Sequence, residues 1–210
     1  KKYKVFSTVF AELKLYKNLI LKSQFSADLS HTTGFSQSLP SYAPNQGEGS
    51  AARSSSDGLN LQVSNTLNYR FNVDNDHDFN FLLGHEWQNY HMEAFSLRTE
   101  GQTNDFLTDI STGTRATSWS STSTSDYSRV SFFGRGEYNY QDRYYGEVSV
   151  RTDGSSRFGK NNRWGLFGAV GFMWNLRNED FMADKRDWLT FAQLAFSSGT
   201  SGNSEIPNYE

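Results

Sequence analysis

Apolar and polar residues alternate along most of the chain with a period of two, the repeat of a strand whose successive side chains point to opposite faces. Over residues 59–73 the odd positions read Leu59, Leu61, Val63, Asn65, Leu67, Tyr69, Phe71 and Val73. The even positions read Asn60, Gln62, Ser64, Thr66, Asn68, Arg70 and Asn72. One face is almost wholly apolar and the other wholly polar, well beyond the ~5–6 residues of an ordinary soluble strand. The same contrast sets Leu19, Leu21, Phe25, Ala27 and Leu29 against Lys22, Gln24, Ser26, Asp28 and Ser30. It sets Val130, Phe132, Tyr138 and Tyr140 against Arg129, Ser131, Arg135, Glu137 and Asn139. Val148 and Val150 alternate with Glu147, Ser149 and Arg151, and Trp164, Leu166, Val170, Phe172, Trp174 and Leu176 share one face. Weaker alternation over 5–16, 79–97 and 189–197 brings the expectation to about eight strands. Each approaches the ~9–11 residues with which a β-strand crosses a bilayer.

Connections alternate in length. Lys17-Asn18, the Asp/Asn-rich stretch 74–78 and Gln141-Asp142 are short turns of the expected chemistry. Between them lie long polar loops at 31–58 and 98–126 and a shorter one at 153–162. Asn178-Glu179-Asp180 before Phe181-Met182 is suited to start a helical turn. Short turns at one end and long loops at the other is the layout of an outer-membrane barrel, whose long loops face outside the cell. A soluble β-sandwich also alternates, with its apolar face inward. The strand lengths, and the aromatics expected near strand ends (Tyr16, Phe71, Tyr138, Tyr140, Tyr144, Trp164, Trp174, Trp188), favour the membrane arrangement.

Composition sharpens this reading. The 210 residues are only 36% hydrophobic yet 16% aromatic, with a formal net charge of −3. Disordered chains are poor in aromatics. Helical membrane proteins need runs of ~18 apolar residues, and none occurs here. A nucleic-acid binder should show a basic stripe, so no nucleic-acid partner is expected. Cysteine is absent, which leaves no disulfide framework or thiolate site. Small residues on the polar faces, among them Ser64, Thr66, Ser131, Ser149, Gly165, Ala169 and Gly171, would underfill a closed eight-stranded interior and suit a wider wall.

The stretch DRYYGEVSVRTDGSSRFGKNNRWGLFGAVGFMW, residues 142–174, resembles a signature of the SusC/RagA-type TonB-linked outer-membrane transporters of Bacteroidetes. Glu179-Asp180-Phe181-Met182 is similar to the family's acidic-acidic-Phe-Met turn, and Trp188-Leu189 to the start of its next strand. Thr200-Ser201-Gly202-Asn203 and Ile206-Pro207-Asn208-Tyr209 resemble the element after that strand. The resemblance implies an all-β fold: about eight antiparallel strands of a plugged transmembrane barrel of ~22. It implies residues 1–210 as partial barrel wall, with the plug domain, the TonB box and the signal peptide outside them. The implied partners are TonB, a SusD-like lipoprotein lid, a glycan or peptide substrate, lipopolysaccharide and outer-membrane lipid, and the remaining barrel strands. The implied place is the cell outer membrane. The alternatives are a self-contained eight-stranded barrel acting as anchor or adhesin, whose first and last strands would pair, and a soluble secreted β-domain.

Nothing in the chain reads as catalytic, and no cofactor or metal is expected. His85 and His91 share one strand face six residues apart, too far for joint ligation unaided. Asp74, Asp76 and Asp78 lack the Gly and Glu of a calcium loop and read as a solvated turn. Candidate partner or substrate residues are the loop aromatics Tyr42 and Trp119, and Arg157, Phe158 and Lys160 of the DGSSRFGKNNRWG loop. Arg151, Arg157, Lys160 and Arg163 either pair with Asp153 as a loop scaffold or meet lipopolysaccharide phosphates.

Overall fold

A computed structural model of the chain describes residues 1–42, 47–116, 120–158 and 163–202. Nearly all of it is one antiparallel sheet. The strands are β1 (Lys2–Tyr16), β2 (Leu19–Ser38), β3 (Gly49–Val73), β4 (His77–Gln102), β5 (Arg115–Ala116), β6 (Ser121–Tyr140), β7 (Tyr144–Ser155), β8 (Trp164–Asn175) and β9 (Gln193–Gly199). They pair in the order β1-β2-β3-β4-β6-β7-β8-β9, with the two-residue β5 folded back on β4. The eight long strands agree with the alternation. β1 and β9 stand at opposite ends of an open path, so the pairing that a self-contained barrel requires is not made.

Register assigns the faces. Val148 lies opposite Gly136 and Val170, and Val150 opposite Gly134 and Gly168. Ser149 lies opposite Arg135 and Ala169, on the polar face. Among the described residues the apolar face carries no second layer: Val148, Val150, Leu166, Val170, Phe172, Leu194 and Phe196 are all exposed, Leu166 to 72%. Among the described residues the only buried hydrophobic side chain is Ala51. The described residues therefore do not form a sandwich, whose apolar faces would be packed on each other.

Strand ends depart from the sequence expectation at the long-loop end. β2 runs to Ser38 and β3 begins at Gly49, so the expected loop at 31–58 shrinks to 39–48. β4 likewise continues to Gln102 and β6 begins at Ser121, leaving 103–120. These extensions are rich in Ser and Thr, with Phe35 the one large apolar side chain, so pairing persists where alternation has faded. β9 starts at Gln193 rather than at Trp188-Leu189, because 3-10 turns at Leu176–Asn178 and Asp180–Lys185 occupy the chain first. Asn203 and 206–209 of the terminal element lie outside the described residues.

The chain forms two compact units. A loop unit comprises Lys1–Ser7, Ser26–Leu61 and Asn89–Tyr127; a turn unit comprises Thr8–Phe25, Gln62–Gln88 and Ser128–Glu210.

Candidate functional site

In the turn unit the apolar face carries a connected series of rings. Tyr69 meets Phe71 at 5.2 Å between centroids, Phe71 meets Phe79 at 4.9 Å, and Phe79 meets Tyr138 at 5.0 Å. His77 lies 4.8 Å from Tyr140, which leads through Tyr144 to Trp174 at 6.3 Å per step. Such a belt, apolar in body and polar at its tips, suits the boundary between lipid and water. The tips are occupied: Tyr138 Oη lies 2.7 Å from His77 Nδ1, and Tyr144 Oη and Trp174 Nε1 donate to Glu179 Oε1 at 2.6 and 2.8 Å.

Glu179 explains why the signature residues occur together. It lies in the connection after β8, 8% exposed, and also receives Arg143 Nη1 at 3.4 Å. Arg143 Nη2 reaches Asp180 Oδ1 at 2.7 Å. The Asp142 carbonyl accepts from Asn175 and Asn178 at 3.2 and 2.9 Å, with Gln141 and Asp142 both at positive φ. Arg186 donates to the carbonyls of Arg177, Asn178 and Glu179 at 3.1–3.2 Å. The Asp-Arg-Tyr turn, the Gly-x-x-Trp strand end and the acidic turn thus close one clasp. The Tyr144 hydroxyl first, then the Trp174 indole, hold the Glu179 carboxyl below the ordinary range. Sequence reading placed these motifs but missed their convergence on one carboxylate.

The polar face of the turn unit holds a hollow of about 470 Å³ lined by Arg70, Asp78, Asn80, Glu137, Tyr145 and Glu147 among others. Asn80 donates to Glu137 at 2.5 Å, and Asn72 to Asp78 at 2.9 Å. Glu137 stands directly opposite Glu147 in the β6–β7 ladder. Two facing carboxylates keep this patch hydrated, since like charges opposed on a sheet disfavour dry packing. Nearby, Arg151 bonds Asp153 at 2.7 Å and Glu86 at 2.9 Å while stacking over Phe133, which lies across Gly84. Arg151 thus pairs with carboxylates of the polar face, Asp153 among them. Arg157 and Phe158 sit half-buried after β7, their amides donating to Ser155 Oγ and the Ser155 carbonyl at 3.3 Å each. Lys160 lies outside the described residues.

In the loop unit the two long connections hold each other. The Ser41 amide donates to Asp105 at 3.0 Å, Arg53 to Asp109 at 3.0 Å, and Arg115 pairs with Glu48. Asp109 also caps the 3-10 turn Ile110–Thr112. The Ser41 hydroxyl and amide hold the Asp105 carboxyl below its ordinary range; the Ser111 amide and Arg53 do the same for Asp109. This clamp presents two rings in water, Tyr42 at 61% exposure and Phe106 at 89%, each next in sequence to the Ser41–Asp105 bond. Phe106 was not singled out from sequence, although a lone Phe-Leu in so polar a stretch was a usable signal. Trp119 lies outside the described residues. No group of three or more metal-ligating side chains occurs among the described residues.

No family model matches the chain. The TonB-dependent receptor SusC of Bacteroides thetaiotaomicron is 33% identical over 129 residues, covering 61% of this chain and 12% of the receptor. The TonB-dependent receptor P26 of Formosa agariphila is 33% identical over 150 residues, covering 69% of this chain and 15% of the receptor. The solved RagAB peptide importer in its open-open state aligns with a TM-score of 0.88 and 32% identity, over 99% of this chain and 23% of the solved one. The chain is SusC/RagA-type barrel wall. It spans under a quarter of the length of these relatives. As SusC/RagA-type wall, the uncovered apolar face and the open sheet path need no further explanation: a segment of a wider barrel has both.

Proposed function

We propose that this SusC/RagA-type segment belongs to a TonB-dependent importer of the outer membrane. In this reading the apolar face contacts lipid and the polar face lines the lumen. The short turns are periplasmic and the long loops extracellular. The observation that carries it is the apolar face, exposed over strands whose alignment with the solved importer is nearly complete. Its work is passage of cargo rather than catalysis. The cargo is glycan or peptide, and the description of the solved relative as a peptide importer favours peptide.

A SusD-like lipoprotein lid closes the extracellular end, and the Tyr42–Phe106 clamp is the surface offered to lid or cargo. Rigid, exposed rings are effective anchors, since they bury much area at little entropic cost. The test is uptake of labelled peptides and oligosaccharides by cells carrying the full-length protein, with and without TonB. Uptake that needs TonB, and that falls in the Tyr42→Ala/Phe106→Ala double variant, is the expected result. Uptake indifferent to TonB removes the importer reading.

A further inference from the structure

The loop unit contains a hollow of about 260 Å³ whose lining changes character along β1, β2 and β3. Val5, Leu29 and Leu59 form its apolar end. On each of those strands the residue two positions nearer the long-loop end is polar or amphipathic: Tyr3 on β1, His31 on β2 and Asp57 on β3. His31 Nδ1 lies 2.6 Å from Asp57 Oδ1, and Tyr3 stacks on the His31 ring at 6.4 Å. His91, which also lines the hollow, has Asp126 2.5 Å from Nδ1 and Glu93 3.4 Å from Nε2.

The apolar end continues the lipid-facing alternation. Leu59 through Tyr69 spans eleven residues of β3, the length of one crossing at about 9–11 residues. The polar end therefore falls where the hydrocarbon of the outer leaflet gives way to headgroups. Its chemistry is specific. Among the described residues no lysine or arginine lines the hollow, and its carboxylate Asp57 is already hydrogen-bonded to an imidazole. A bare phosphate finds no cation to receive it. A hydroxylated ring finds mixed donors and acceptors beside an aromatic face, which is what a sugar requires.

We infer that this hollow holds one sugar-headed lipid of the outer leaflet, an acyl chain along Val5, Leu29 and Leu59 and its sugar against Tyr3, His31 and Asp57. The inference rests on the outer-membrane reading above. It differs from a phosphate contact through Arg151, which points to the polar face.

Delipidated full-length protein in detergent is titrated with lipid A, dephosphorylated lipid A and phosphatidylglycerol, and bound lipid is counted by native mass spectrometry. The wild type should retain both glycolipids alike and phosphatidylglycerol far less. Leu29→Trp, filling the hollow, and His31→Ala should each lower glycolipid retention roughly tenfold. His31→Gln, which keeps a hydrogen-bonding side chain, should lose less. Phosphatidylglycerol retained as well as lipid A, or binding lost on dephosphorylation, overturns the sugar assignment on wild-type protein alone. Retention unchanged in Leu29→Trp protein that still shows heat-modifiable migration overturns the location. Wild-type protein that fails to float with liposomes defeats the membrane reading instead, and the lipid site with it.

Discussion

Glu179 and Gly84 show how single positions hold this wall together. Glu179 gathers Tyr144, Trp174 and Arg143 on one carboxylate, so Glu179→Ala strands two ring donors at once and leaves Arg143 to Asp180 alone. The full-length variant should lose heat-modifiable migration at a lower temperature than wild type, with Glu179→Gln intermediate. Because partners depress this carboxyl, its contribution is complete above the ordinary value of about 4.3. It disappears as pH falls through the lower folded value. Migration assayed across acid pH should show wild type converging on the Glu179→Ala variant, and parallel curves would refute the role. At Gly84 an added Cβ meets the Phe133 ring, whereas at Gly146 it meets nothing within 4 Å. Gly84→Ala should cost about 1–3 kcal/mol through overpacking, and Gly146→Ala close to nothing, read by urea titration in liposomes.

Between elements, neighbouring residues on one strand lie on opposite faces, which in the proposed outer-membrane placement meet different solvents. Val148→Arg places a guanidinium in lipid and should destabilise by about 2–4 kcal/mol near the midplane. Ser149→Arg, one residue on and facing Arg135 and Ala169 on the polar side, should cost far less. Equal costs would mean that the two faces are alike. This two-faced contrast is also why the strands were legible in the sequence: over 59–73 the chain records which side is apolar. From Leu59 towards the long connections the alternation stops, and the extensions to Ser38 and Gln102 read as loop although their backbones stay paired. The delayed start of β9 was hidden for another reason, since the Arg186 contacts that hold the 3-10 segment follow no period. The loop clamp was illegible because its pairs join residues more than fifty positions apart, as Arg53 and Asp109 do. Asp105 and Asp109 are both depressed carboxylates, so the clamp persists above about pH 3.9 and loosens below it. Proteolysis of residues 103–120 by an acid-active protease should accelerate only as pH falls below about 3.9, and Arg53→Gln, which lacks one pair of the clamp, should be cut faster already above that pH. A flat profile would remove the clamp.

At the scale of the whole molecule the decisive quantity is what these residues fail to bury. A soluble domain offsets ordering costs of ~1–2 kcal/mol per residue chiefly by removing apolar area from water. Here the apolar side chains remain on the surface, and Ala51 is the lone buried hydrophobic among the described residues. β1 adds an edge of fifteen exposed residues, which by itself invites pairing with another strand. Lipid on one face and neighbouring strands at both edges remove these deficits together, and water removes neither. Residues 1–210 refolded alone in buffer should therefore aggregate or stay unfolded, by circular dichroism and gel filtration, while the full-length protein inserts into liposomes as a heat-modifiable barrel. Detergent alone should rescue the short chain only partly, because it covers the apolar face and leaves both edges open. A dispersed monomer with a cooperative urea transition in plain buffer would show that the apolar face finds cover within the chain, and the wall reading would fall.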